Sequence, residues 1–251
     1  MRLLQLTDTH LPGRPGGRVR GVATRATAAR CLADAKKRHP DAQALLLTGD
    51  LVHDEPSAYR ELRKLFAGAG LPVLCLPGNH DEGAALRREL SGEPFRHGTA
   101  ERLGAWQVVL LDSTVAGENH GHLPAEALAR LDAALAADGA RHALVCLHHH
   151  PVPHGSRWLD ELMLDNADEF FAVLARHRTV RGVAWGHTHQ PYDGQRDGLR
   201  LMGTPSTCMQ FAQASDEFAV DDRPPAYRWL ELADDGAIAT DIEWVRNDNG
   251  R

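Results

Sequence analysis

The chain has 251 residues, of which 43% are apolar and 25% charged, and a net charge of −6 at pH 7. That is enough apolar content for a full core, and the acidic balance argues against nucleic acid or an anionic membrane surface as a partner. No run approaches the ~18 apolar residues of a membrane span.

Short apolar runs recur along the chain, at 3–6 (LLQL), 44–48 (ALLLT), 72–76 (PVLCL), 107–111 (QVVLL), 143–147 (ALVCL) and 182–186 (GVAWG). Their length and flanking residues make them buried strands. Helical periods lie between them, through Val22, Ala26, Ala29 and Ala33, then through Tyr59, Leu62, Phe66 and Ala69. Pro124 reads as a first-turn proline for a helix through Leu128, Leu131 and Leu135 that Gly139 ends. Asn166 with Glu169 three residues on resembles a capping box for a helix carrying Phe170, Val173 and Leu174. Beyond residue 180 the pattern turns strand-like and turn-rich, in LRLMGTPSTCMQF, YRWLEL and IATDIEWV. Strand and helix alternating over most of the chain predict a layered α/β fold in one domain, 1–246, with a frayed tail at 247–251. Four widely spaced cysteines (Cys31, Cys75, Cys146, Cys208) show no C-x-x-C pair, and the apolar stretch before Asp8 is too short for a signal peptide. Reduced thiols and a cytoplasmic location are expected.

The 15 histidines carry the functional signal. Asp8-Thr9-His10 follows the first strand, Gly49-Asp50 the second and Gly78-Asn79-His80-Asp81 the third; His148-His149-His150 follow ALVCL, and Gly186-His187-Thr188-His189 end GVAWG. In a layered α/β protein the ligand crevice lies beyond the carboxyl ends of the strands, so one rim collects these groups. Imidazole and carboxylate suit borderline divalent metals such as Fe, Mn, Zn and Co. Residues i and i+2 of an extended chain face one side, so both ends of a D-x-H or H-x-H can reach one metal cluster, and Asp50 can bridge two ions with its two oxygens. The same alternation turns His149 away from His148 and His150, so the triplet does not share one ion. Singly, each piece is weak: D-x-H arises by chance, and G-N-H-D can be an ordinary turn. Five pieces in order, each at a strand end, are a different matter.

Together these blocks resemble the five signature blocks of calcineurin-like metallophosphoesterases. The resemblance implies a four-layer αββα sandwich, two mixed sheets flanked by helices, with two divalent ions per chain, Fe or Mn foremost and Zn or Co as alternatives. Asp8, His10, Asp50 and His189 would hold one ion, and Asp50, Asn79, His149 and His187 the other, His149 being the histidine two before Pro151. His80 would be the catalytic acid, with His148 and His150 in packing or supporting positions. Some relatives carry an acidic residue three positions after the bridging aspartate, where this chain has His53. Asp54, Asp81 or a backbone carbonyl are the candidates to orient His80.

Outside the blocks, LHHHPVPHGSRWLDELMLDN, GHTHQPYDG, GTPSTCMQF and FAVDDRPPAYRWLEL resemble bacterial class III cyclic nucleotide phosphodiesterases of the CpdA type. The implied reaction is hydrolysis of 3′,5′-cyclic AMP to 5′-AMP by in-line attack of a hydroxide held between the ions, with His10, Asp50, Asn79, His80 and His189 contacting the substrate. The STC turn reads equally as a tight loop or a pocket element. The expected partner is a small cyclic nucleotide, not nucleic acid or membrane, with a homodimer left open. The rival readings are a broad diesterase or nucleotide pyrophosphatase on the same scaffold and, less favoured, a fold that has lost its chemistry.

Overall fold

Each central strand is buried on both faces, as a near-continuous apolar run requires, so every sheet must be covered twice. The computed structural model, described here over residues 1–98, 100–137 and 139–246, meets this requirement with two sheets packed face to face between helices. The first sheet contains β1 (Arg2–Leu6), β2 (Ala44–Thr48), β3 (Val73–Leu76), β4 (Phe95–Arg96), β13 (Ala226–Leu232) and β14 (Ile238–Trp244), in the order β14-β13-β1-β2-β3-β4. Strands β1 to β4 run parallel, and β13 and β14 extend that sheet antiparallel. The second contains β5 (Ala100–Leu103), β6 (Trp106–Leu110), β7 (His142–Cys146), β8 (Val180–Trp185), β9 (Tyr192–Arg196) and β10 (Leu199–Gly203), in the order β5-β6-β7-β8-β10-β9. Its inner strands β6, β7, β8 and β10 are parallel. A separate short pair joins β11 (Gln210–Phe211) to β12 (Val220–Asp221).

Three cores follow from strand alternation. Leu3, Leu46, Leu74, Leu144, Cys146 and Ala184 meet between the sheets. Leu4, Leu45 and Cys75 face outward under α1 (Thr24–Arg38), α2 (Tyr59–Ala67) and α3 (Gly83–Glu89). Val145 and Val183 face outward under α4 (Ala125–Ala136) and α6 (Ala167–Leu174), while α5 (Arg157–Asp160) is a single turn near the rim. The αββα arrangement is therefore the one expected. Just below the rim a buried amide joins the sheets: Gln5 Nε2 donates to Thr48 Oγ1 at 2.9 Å and to the Trp185 carbonyl at 3.1 Å, and Gln5 Oε1 accepts from Thr204 Oγ1 at 2.7 Å. A buried amide with all these partners fixes the register of one sheet on the other.

Local details depart from expectation. Pro124 sits outside α4 with an extended backbone, in the capping position rather than the first turn, and α4 ends at Ala136, before Gly139. Asn166 precedes α6 but makes no cap bond. Its amide instead exchanges two hydrogen bonds with the Leu123 backbone, at 2.8 and 3.0 Å, tying α6 to the entry of α4. The predicted frayed tail, 247–251, lies outside the described residues. All four cysteines are buried free thiols, and no helix among the described residues is long and apolar enough to cross a membrane.

Candidate metal centre

Strands β1, β2, β3, β7 and β8 all end at one rim, where the chain turns sharply. Among the described residues, nine non-glycine residues have positive φ, and six of them are here: Asp8, His10, Asp50, Asp54, His187 and His189. This left-handed region costs an ordinary side chain of order 1–3 kcal/mol, and Asp and His tolerate it better than most. Asp8 and His10 do reach the same cluster, although β1 ends at Leu6 and its alternation no longer governs them. Two glycines are needed for closeness. A Cβ on Gly49, whose φ is +93°, would strike the His148 ring, and one on Gly78 would strike the Asp50 carboxylate.

Two groups of donor atoms meet at Asp50. On the Oδ2 side, Asp50 lies 3.5 Å from His10 Nε2, His10 Nε2 lies 3.2 Å from His189 Nε2, and His189 Nε2 lies 3.3 Å from Asp8 Oδ1. His189 Nδ1 donates to the Met209 carbonyl at 2.8 Å, which leaves the Nε2 lone pair facing the group. On the Oδ1 side, His148 Nε2 lies 3.3 Å from Asp50 and 3.2 Å from Asn79 Oδ1. Ligands of one ion at bond lengths near 2.1 Å sit roughly 3–3.4 Å apart, so both groups have the spacing of a coordination shell. His148, His149 and His187 nitrogens also lie within 4.8 Å of one another, and the Nε2 atoms of His149 and His187 are buried with no hydrogen-bond partner. The donor groups on the two sides of the Asp50 carboxylate have the chemistry and spacing to hold divalent cations.

The electrostatics agree. Burial opposes a proton on His148, but Asp50 outweighs it and raises the imidazole to about 9. Burial pushes Asp50 up, and the His148 contact more than reverses this, holding the carboxyl well below its ordinary value. The Asp50 carboxylate thus demands a positive neighbour, which in the ion-free protein is protonated His148; a cation bound there would take over that role and displace the Nε2 proton, freeing the lone pair. Burial drives His10, His149 and His187 well below the ordinary histidine value, keeping them neutral and able to coordinate.

The histidine triplet is arranged differently from the expectation. His148 was expected in a packing or supporting position and His149 as the ligand; here His148 lies against Asp50 and Asn79. His149 instead sets its Nδ1 2.8 Å from Ser113 Oγ and lies against His187, at 4.8 Å between ring centroids. The reason lies in the sheets. Alternation separates His148 from His149 but does not say which side is inward. Leu144 and Cys146 face the other sheet, and His148 continues their side, with Nδ1 donating to the Thr48 carbonyl across the sandwich at 2.8 Å. His150 is fully buried beside His154; neither ring nitrogen makes a hydrogen bond, and Nε2 lies 3.7 Å from Asp160 Oδ1.

Of the candidates to orient His80, Asp54 makes the contact. Its Nδ1 donates to Asp54 Oδ1 at 2.9 Å. Burial lowers the proton affinity of His80, but Asp50 and Asp54 together raise it above the ordinary value. Asp81 is turned away, accepting from the Leu51, Val52 and Gly78 backbone amides and from the Tyr59 hydroxyl. Burial and nearby Asp50 raise its carboxyl to about 6. The STC turn braces the first loop: Ser206 Oγ donates to the Asp8 carbonyl at 2.8 Å, and Thr207 Oγ1 to the Thr7 carbonyl at 3.3 Å.

A cleft of about 830 Å³, counting its open mouth, spreads above these groups. His10, Asp50, Asn79, His80, His187 and His189 line its floor, while Arg20, Trp158, Phe211 and Phe218 form a wall. Trp158, Phe211 and Phe218 each lie in a stretch that carries the phosphodiesterase resemblance, but no spacing links residues from separate loops, and nothing in the sequence marks Arg20.

A family model described as calcineurin-like phosphoesterase matches residues 1–191. A relative from Pseudomonas aeruginosa named 3′,5′-cyclic adenosine monophosphate phosphodiesterase CpdA is 39% identical, over 97% of this chain and 89% of the relative. A protein of the same name from Escherichia coli K12 is 38% identical, over 96% and 89%. Among solved structures, a dimetal phosphatase from Danio rerio superposes with a TM-score of 0.65 at 14% identity, covering 91% of this chain and 94% of that one; this likeness concerns the fold alone. Signature blocks, layered fold and family match agree, and the chain belongs to the calcineurin-like phosphoesterase family.

Proposed function

We propose that this chain is a dinuclear metal-dependent phosphodiesterase that hydrolyses 3′,5′-cyclic nucleotides, cyclic AMP to 5′-AMP. The substrate class rests on near full-length similarity to relatives that bear that activity in their names. The dinuclear reading rests on one observation, the division of the two Asp50 oxygens between separate donor groups. Asp8, His10, Asp50 and His189 would hold one ion. Asp50, Asn79, His148 and His187 would hold the other, with His148 taking the place first expected for His149. When bound, such a pair neutralises phosphate charge and activates water for in-line displacement at phosphorus.

The remaining steps belong to side chains. His10, Asp50, Asn79, His80 and His189 line the cleft floor and would face the substrate phosphate. With Nδ1 committed to Asp54, His80 has Nε2 left to donate its proton to the departing O3′. The raised proton affinity of His80 suits a donor, since a group that holds its proton near neutrality is charged when the ester breaks. An imidazole and carboxylate set suits Fe, Mn, Zn and Co alike, and Fe and Mn are proposed first on the family resemblance.

The test is a panel on metal-reconstituted protein: 3′,5′-cyclic AMP, cyclic GMP, 2′,3′-cyclic AMP, a pyrophosphate-linked nucleotide, an aryl diester and an aryl monoester. Turnover of 3′,5′-cyclic AMP to 5′-AMP is expected to lead the panel. Efficient cleavage of a pyrophosphate-linked nucleotide with none of 3′,5′-cyclic AMP would overturn the substrate and favour the pyrophosphatase reading.

A further inference from the structure

Phe218 is 41% exposed. A single exposed phenylalanine requires no explanation, but this one belongs to a cluster that leads out from the proposed ion site. Phe211 lies flat on His189, with centroids 4.0 Å apart and planes 6° from parallel. Beyond it stand Trp158 and Phe218, at 5.3 and 5.2 Å from Phe211 and 5.3 Å from each other, all edge to face. Arg20, from a separate loop, sets its guanidinium 4.4 Å from the Phe218 ring centre. Phe218 lies on the loop between β11 and β12, so a paired turn holds it over the cleft.

The order of groups follows the shape of a cyclic nucleotide. Its reacting phosphorus is fused into a ring with the ribose, and the base projects from the far side of the sugar at C1′. With the phosphate above His10, Asn79 and His189, the base falls about one ring beyond Phe211, at Trp158 and Phe218. A flat, π-rich base there gains face contact with aromatic side chains and lies beside a guanidinium that can donate to its ring nitrogens.

We propose that Trp158, Phe211 and Phe218 form the nucleobase subsite, and that Phe218 with Trp158 determines preference for substrates that carry a base. This inference rests on the phosphodiesterase reading above but can fail separately. The probes are 3′,5′-cyclic AMP and ribose 3′,5′-cyclic phosphate without a base. Stacking of one base on aromatic side chains is worth roughly 5- to 150-fold in binding, so the wild-type protein should favour cyclic AMP in kcat/KM by a ratio in that range. Phe218→Ala and Trp158→Ala should reduce the ratio towards one, mainly by raising KM for cyclic AMP, while Phe218→Tyr retains it. Phe218→Leu, which keeps apolar bulk without the π face, should lose most of it. A wild-type ratio near one, or variants that leave it unchanged, would overturn the subsite. Failure of the wild-type protein on both cyclic phosphates would instead overturn the phosphodiesterase reading.

Discussion

The two donor groups that meet at Asp50 differ in how far they are satisfied by protein alone. On the Oδ2 side the donors answer one another: His10 and His189 meet at 3.2 Å, and His189 reaches Asp8 at 3.3 Å. On the Oδ1 side His148 is held between Asp50 and Asn79, yet His187 and neighbouring His149 keep Nε2 atoms buried without partners. An unpaired buried polar atom costs about 1–3 kcal/mol. On the proposed reading the Oδ1 half would therefore be the more dependent on a bound ion, and the two halves should respond differently to the same perturbation.

The largest effect should come from destroying what they share. Asp50→Ala should lower metal content in both halves and reduce turnover by at least ~10⁴-fold, since several kcal/mol of charge stabilisation are lost from each ion. Metal retained at the wild-type level would break the comparison at its centre. Next, His80→Ala should keep both ions and lose roughly 10²–10⁴-fold in turnover, the usual worth of a positioned acid. That loss should shrink for a nitrophenyl diester, whose leaving group needs little protonation; an equal loss across leaving groups would make His80 a phosphate binder. Asp54→Asn should cost less, roughly 10- to 100-fold, because it only orients the acid. An effect as large as that of His80→Ala would assign the proton to the pair rather than to the histidine.

A stability measurement sharpens the contrast between the halves. Manganese at ~100 times its dissociation constant should raise the melting temperature of the stripped protein by roughly 5–10 °C, if it binds only the folded chain. His187→Ala removes one unpartnered nitrogen, so it should shrink that rise more than His189→Ala does. The reverse order would show that the Oδ2 half is the ion-dependent one.

Much of this was legible in the sequence because the relevant signals are local. Apolar runs of strand length ending in glycine and then Asp, Asn or His mark strand ends at a rim, and Asp8, His10, Asp50, Asn79, His80, His187 and His189 all lie at this rim. The misses share one physical cause. The inward side of β7 is set by the other sheet, through Leu144 and Cys146, so alternation alone could not choose between His148 and His149. Asn166 kept its place before α6 but spent its side chain on Leu123, a residue 43 positions away. Asp54 and Asp81 were equal candidates beside His80 until backbone amides engaged Asp81. The aromatic wall joins residues from three separate segments, which no periodicity connects.

The proposed centre is a pair of ions that would share Asp50, with His148 holding the second. An anomalous difference map of crystals loaded with manganese or iron tests this most directly. Two peaks should flank the Asp50 carboxylate, one touched by Asp8, His10 and His189, the other by Asn79, His148 and His187. A single peak, or a second peak coordinated by His149 with His148 turned away, would contradict it.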